Sequence, residues 1–260
     1  MSTRQIGLSM LFCLGEPFPT LIERLQKVTT PQVEVLDEGL HTLNGRRVEA
    51  LREVAESRGI GLTVHAPFAD MNIASPNATL RRTVLRRLEK SIVYASQLGC
   101  RLWVFHPGKR TGVSHSYPRS DWQLNIESIG TLLKAARNHD VGIAIENLPE
   151  PFPFLMKSVE DFSRFYDEFD DELGIVLDVG HAHINQQVQD FINRFPQKIV
   201  HVHVSDNDGT RDAHLGIGCG TINWEAVAEA FKKVNYGEVI MLESVEHVKE
   251  SLQKLHRLFA

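Results

Sequence analysis

Along the chain, short apolar runs rich in β-branched residues alternate with longer stretches whose apolar residues return every three or four positions. The runs are Ile6–Met10, Gln32–Leu36, Gly61–His65, Arg101–His106, Val141–Glu146, Gly174–Asp178, Lys198–His203 and Glu238–Glu243. Between them lie Leu21–Val28, Val48–Ser57, Thr79–Leu98, Leu124–Asn138, Val159–Tyr166, Gln187–Phe195 and Trp224–Val234, and Val245–Leu258 closes the chain. Val84, Leu85, Leu88, Ile92 and Val93 show the helical period in the third stretch. Cap residues support several helix starts: Ser120 or Asp121, Ser158, and Asn223. Continuous apolar runs such as Ile175-Val176-Leu177 and Val239-Ile240-Met241-Leu242 suit strands buried on both faces, as in a parallel sheet covered by helices. Eight strand–helix units without a break in composition predict one α/β domain over residues 1–260, a closed (β/α)8 barrel of the TIM type. The competing architecture, an open doubly wound sheet, usually carries G-x-G-x-x-G after its first strand, and none stands there.

Composition narrows the partners. The chain is 42% apolar and 23% charged, the proportions of an ordinary globular protein. Its formal net charge of −5 does not attract phosphate backbones or anionic membranes at long range. Cys13, Cys100 and Cys219 are far apart and form no C-x-x-C, which fits reduced thiols and a cytoplasmic location. Ile6–Leu14 is short and apolar like the core of a secretion signal. However, Gly15-Glu16-Pro17 stands where a cleavage site belongs, and the run reads as the first strand. No run approaches the roughly 18 apolar residues of a membrane span.

Chemistry in such barrels sits at the C-terminal ends of the strands. Those ends carry His65, His106, Glu146, Asp178 with His181, His203 and Glu243, and the loop after the seventh run adds Asp212 and His214 as D-x-H. One histidine or glutamate at a strand end is ordinarily a satisfied polar group. Six consecutive strands ending in this way at one mouth are different. Such groups repel or stay unsatisfied unless cations lie among them. Nitrogen and oxygen donors suit zinc, manganese or ferrous iron, and the lack of cysteine argues against a purely structural zinc site.

At these residues the sequence resembles the xylose-isomerase-like TIM barrels, a superfamily that contains the endonuclease IV group (AP endonuclease family 2) and many sugar or sugar-phosphate isomerases and epimerases. The resemblance is carried by His65-Ala66-Pro67-Phe68 with Met71-Asn72-Ile73-Ala74-Ser75, by His106-Pro107-Gly108 and by Glu146-Asn147-Leu148-Pro149. Asp178-Val179-Gly180-His181-Ala182 and His203 to Asn207 with Asp212-Ala213-His214 complete it. By position it implies three metal subsites. His65, His106 and Glu146 hold one ion. Glu146, Asp178, His203 and Glu243 hold a second, with Glu146 bridging. His181, Asp212 and His214 hold a third. The isomerases and epimerases generally need only the second set and the endonuclease group uses all three, so one to three zinc or manganese ions per chain are expected.

Two enzymatic readings follow from that resemblance. In the first, a metal chelates a sugar or sugar-phosphate carbonyl and stabilises an enediolate. Glu146 and Glu243 move the proton, and His181 binds a hydroxyl. In the second, clustered metals activate a hydroxide that Glu146 orients against an abasic-site phosphodiester. A non-enzymatic metal- or sugar-binding barrel is the third alternative. The complete nine-residue set favours the phosphodiesterase; its surroundings favour the isomerase or epimerase. Asp37-Glu38-Gly39, Phe68-Ala69-Asp70, Pro149-Glu150-Pro151 and Asp206-Asn207-Asp208 are mostly acidic or apolar, and the seventh loop lacks the Ser/Lys-rich insert of the endonuclease group. The expected partner is therefore a small sugar or sugar phosphate rather than nucleic acid, with no membrane; a homo-oligomer is compatible with the sequence.

Supporting residues are less sharply defined. Lys109-Arg110, Arg119 and Arg211 are candidate basic contacts, whereas Arg81, Arg82, Arg86 and Arg87 read as a solvated helix face. The Gly216, Gly218, Gly220 loop either offers backbone N–H groups to a phosphate or is a plain tight loop. Gly218, Arg211 and Asn147 are the expected substrate contacts, Asn147 also as an orienting partner of Glu146. Glu34 resembles the isomerase side of the superfamily or fills the barrel with a partner. His201 is expected to face the helix layer. Trp122 and Phe152-Pro153-Phe154 are candidate covers for a substrate.

Overall fold

The computed structural model describes residues 6–117 and 119–259. Eight parallel strands close into a barrel in chain order, the first pairing with both the second and the eighth. They are β1 (Ile6–Ser9), β2 (Gln32–Leu36), β3 (Gly61–His65), β4 (Leu102–Phe105), β5 (Gly142–Glu146), β6 (Gly174–Asp178), β7 (Ile199–Val204) and β8 (Ile240–Leu242). The helices are α1 (Phe18–Leu25), α2 (Gly45–Arg58), α3 (Ala78–Gln97), α4 (Ser120–Arg137), α5 (Val159–Glu168), α6 (Val179–Ile184), α7 (Val188–Arg194), α8 (Trp224–Lys233) and α9 (Val248–Leu258). Among the described residues no helix is long and apolar enough to cross a membrane.

Strand alternation sorts the side chains into two cores, because residues two apart share a face. The outward set, including Val33, Val35, Trp103, Phe105, Ile143, Ile145, Ile175 and Leu177, joins the main core with the helices. Val104, Ala144 and Val176 form a separate cluster, with Leu102 packed against it. Two residues further along these three strands stand His106, Glu146 and Asp178. The periodicity that fills the barrel thus delivers the polar groups to its mouth.

Several helix starts follow local chemistry. Asn44, Asn77 and Asn223 cap α2, α3 and α8, and Ser158 makes a reciprocal capping box with Asp161 on α5. α4 departs from expectation: it begins at Ser120 after Arg119 in the left-handed region, without a side-chain cap. α6 was not legible in the sequence. It starts directly after β6, and Asp178 Oδ1 accepts the His181 N–H at 2.6 Å. Six residues are too few for a helical period to show.

The arginine cluster on α3 is not uniformly solvated. Arg87 turns inward and holds the fully buried Asp37 with two hydrogen bonds of 2.8 and 2.6 Å, fixing the chain where it leaves β2. Asp37 also accepts the Leu43 N–H at 2.6 Å. Replacing Arg87 with Ala strands a buried carboxylate and is expected to cost about 3 kcal/mol, read as a lower urea midpoint with an unchanged slope. A loss of no more than about 0.5 kcal/mol, the ordinary surface value, contradicts it.

Candidate metal centre

The nine predicted donors converge. A cavity of about 490 Å³ opens at the C-terminal end of the barrel, and His65, His106, Glu146, His181, Asp212, His214 and Glu243 line it. Asp178 and His203 lie behind these residues, fully buried. Glu146 is the hub. Its Oε2 lies 3.4 Å from His65 Nε2, 3.2 Å from His106 Nε2 and 3.7 Å from His203 Nδ1, while Oε1 lies 3.2 Å from His181 Nδ1. Glu243 Oε2 is 3.4 Å from His203 Nδ1. Asp212 Oδ2 sits 3.1 Å from both His181 Nε2 and His214 Nε2.

Donor atoms within 4.8 Å of one another form five groups among the described residues. Three of them are His65–His106–Glu146, His181–Asp212–His214 and Asp178–His203–Glu243; a fourth joins Glu146 to Asp178 and His181. The first and second coincide with two expected subsites. The third contains the remaining one without Glu146, which the fourth links to Asp178. Buried atoms here lack hydrogen-bond partners: Glu146 Oε2, Asp178 Oδ2, His203 Nδ1, Asp212 Oδ1 and His214 Nδ1. Unpaired buried donor atoms are costly, and a divalent cation among them removes that cost. The imidazoles are also prepared. His65 Nδ1 bonds Ala66 O and His181 Nδ1 bonds Asn147 O, both at 2.8 Å, which turns each Nε2 toward the centre.

Electrostatics express the same crowding. Burial pushes the Glu243 carboxyl up to about 7. Burial also opposes ionisation of Glu146, yet the surrounding imidazoles, His106 foremost, hold it well below the usual carboxylate range. Burial disfavours the His65 cation, but the Glu146 carboxylate outweighs it and lifts the group to about 9. Asp212 does the same for His214, against burial, again to about 9. His106 goes the other way because burial dominates.

Three expected substrate contacts are placed otherwise. Asn147 is fully buried and joins β5 to β6, donating to Asp178 O at 3.1 Å and accepting the Asp178 N–H at 2.8 Å. It positions Asp178 and does not line the cavity. The Gly218 N–H is already taken, at 2.7 Å, by the Asp206 carboxylate. That same carboxylate accepts from Asn207 N, Ile222 N and the Trp224 indole, so an internal anion fills the place foreseen for a phosphate. Arg211 is exposed and is not among the lining residues. Trp122 is buried away from the mouth against Arg164, its indole bonded to Glu168. His201 points into the barrel rather than toward the helices, since it shares a face with His203 two residues on.

Phe68, Phe152 and Phe154 do line the cavity. Glu38 was not foreseen; it accepts the Phe68 and Ala69 N–H groups, each at 2.9 Å, and so sets the loop that carries Phe68. Gly108 lets the chain after His106 pass close to another loop, because a Cβ there would lie 2.7 Å from Ala74 N.

The profile of the xylose isomerase-like TIM barrel family matches residues 28–258. The chain belongs to that family. An uncharacterized protein of Methanocaldococcus jannaschii, MJ1311, is 29% identical over 244 residues, 92% of this chain and 83% of that one. The probable endonuclease 4 of Mycoplasmoides gallisepticum is 24% identical over 204 residues, 72% of this chain and 65% of its own. A crystal structure described as a D-tagatose 3-epimerase-like protein is 28% identical, with a TM-score of 0.87 over 98% of this chain and 100% of that one. An L-ribulose 3-epimerase, 18% identical, has the same fold, with a TM-score of 0.79 over 98% of this chain and 86% of its own. In this xylose isomerase-like barrel Lys109 is the one lysine or arginine among the described residues that line the cavity.

Proposed function

We propose that the protein is a divalent-metal-dependent isomerase or epimerase of a small sugar or sugar phosphate. The observation that carries this reading is the placing of Glu146 and Glu243, from β5 and just beyond β8, on the wall of one cavity of about 490 Å³. Such a volume suits a small ligand. The full-length likeness to a D-tagatose 3-epimerase-like protein supports it.

Glu146, Asp178, His203 and Glu243 would hold the ion that this chemistry needs. When bound, a divalent ion supplies Lewis-acid polarisation of the carbonyl and its neighbouring hydroxyl. One glutamate takes the proton from the carbon beside the carbonyl; the C–H electron pair becomes the C=C bond and the carbonyl π pair moves onto oxygen, which gives an enediolate. The other returns a proton, on the same face for isomerisation or on the opposite face for epimerisation. Phe68, Phe152 and Phe154 shield the reacting carbon from water, which would otherwise compete for the proton.

The complete donor set and the likeness to a probable endonuclease 4 favour a second reading, metal-dependent phosphodiester hydrolysis. The mouth opposes it. A DNA backbone is held by several cations, and the described wall offers Lys109 alone. A paired assay decides. The metal-loaded protein is expected to exchange a substrate C–H with solvent deuterium on a panel of ketoses and ketose phosphates, and to leave an abasic oligonucleotide intact. Cleavage of the oligonucleotide with no exchange on the panel reverses the assignment.

A further inference from the structure

Inside the barrel, beneath the cavity, lies a second polar layer. Glu34, in the middle of β2, is fully buried. Its carboxylate meets two imidazoles from β7. His203 Nε2 lies 3.2 Å from Oε1 and makes a hydrogen bond of 3.3 Å with Oε2, and His201 Nε2 lies 3.5 Å from the same Oε2. The two rings meet edge to face with centroids 5.2 Å apart. The opposite nitrogen of His203, Nδ1, has no hydrogen-bond partner and faces Glu146 and Glu243. A neutral imidazole carries one ring proton. Its bond to Glu34 places that proton on Nε2 and leaves the Nδ1 lone pair directed at the centre.

We propose that Glu34 is the positioning residue of the centre, fixing His203 in its Nε2–H tautomer and making the subsite of Glu146, Asp178, His203 and Glu243 the tightest of the three. The inference rests on the metal-dependent reading above, whichever reaction the centre performs. It follows from a contrast among the imidazoles. His65 and His181 are oriented by neutral carbonyls, Ala66 O and Asn147 O, and present Nε2. His203 is oriented by a carboxylate and presents Nδ1. An anionic partner raises the donor strength of the far nitrogen, and such partners are typically worth 10–100-fold in metal affinity. His201 completes the device. Its Nε2 stands 3.5 Å from Oε2, the oxygen that bonds His203, without a hydrogen bond of its own, so it flanks the buried carboxylate as a close polar neighbour and His203 remains the group that Glu34 bonds. Well-packed apolar side chains at these three positions would fill the barrel at no such electrostatic cost. The polar trio is accounted for by what it does to His203.

The test titrates the full-length metal-free protein with Co²⁺, following its visible absorption, beside circular dichroism to check the fold. Wild type is expected to bind one ion more tightly than any other. Glu34→Gln, nearly isosteric, is expected to weaken that first ion by about 10–100-fold and leave later ions unchanged; His201→Gln is expected to weaken it less. Nitrogen NMR of zinc-loaded wild type, which depends on no variant, is expected to show His203 protonated at Nε2 and coordinated through Nδ1. Wild-type affinity in Glu34→Gln overturns the proposal, and so does coordination through Nε2, the result if Glu34, His201 and His203 themselves held an ion. A wild type that binds no ion overturns the metal-dependent reading as well, which separates the two failures.

Discussion

Glu243→Gln and Glu146→Gln are each expected to slow exchange of the substrate C–H with solvent by about 10²–10⁴-fold. Glutamine keeps the size and much of the hydrogen bonding but accepts no proton at its amide, so the chemical step loses its base or its acid. The variants differ in a second respect. Glu146 contacts four imidazoles, whereas Glu243 contacts His203 alone among the ion-pair distances. Metal content measured by elemental analysis is therefore expected to fall further for Glu146→Gln. A Glu243→Gln protein with near-normal exchange, or a ligand affinity untouched by both changes in a protein that exchanges nothing, removes the proton-transfer role and leaves a binding barrel.

Metal removal is expected to act through pH. In the metal-free protein His65 and His214 titrate near 9, above the ordinary 6.5, and Glu243 near 7, above the ordinary 4.5. Raised values mean that the folded state binds these protons more tightly than the unfolded chain. The stability they contribute is complete below the unfolded values and is lost as pH rises through 7 and then 9. Glu146 and Asp212 shift downward, so their contribution is lost in acid, outside this window. An ion must displace the histidine protons to bind, so it gains affinity as pH rises. The gap in Tm between loaded and chelator-treated protein is expected to widen from pH 6.5 to 9, reaching about 10 °C with saturating metal. A gap that stays constant or narrows over that range contradicts the proposed donor set.

Much of this architecture was legible from local pattern. The alternation of apolar runs and helical stretches located all eight strands, and the polar residue closing each run from the third onward marked the mouth. Sorting those residues into subsites came from the family resemblance; periodicity alone does not show that Asp212 meets His181 across 31 positions. The features that escaped notice are long-range or very short. Glu34 finds His203 169 positions away, and no local signal announces such a partner. His201 faces the barrel interior and not the helix layer, because two residues of equal parity on one strand share a side, and His203 lies on that side. Gly218 looked available because its N–H is visible in sequence and the Asp206 carboxylate that occupies it is known only from the folded loop.

That carboxylate bears on how an ion would enter. Asp206 also exchanges backbone hydrogen bonds with Leu215, of 3.0 and 2.8 Å, pinching the segment that carries Asp212 and His214 at its base. The arm is stitched by its own chain before any guest arrives. Little ordering entropy then remains to be spent at the moment of capture, so loading is expected to proceed as insertion into a standing frame, with the same backbone trace before and after.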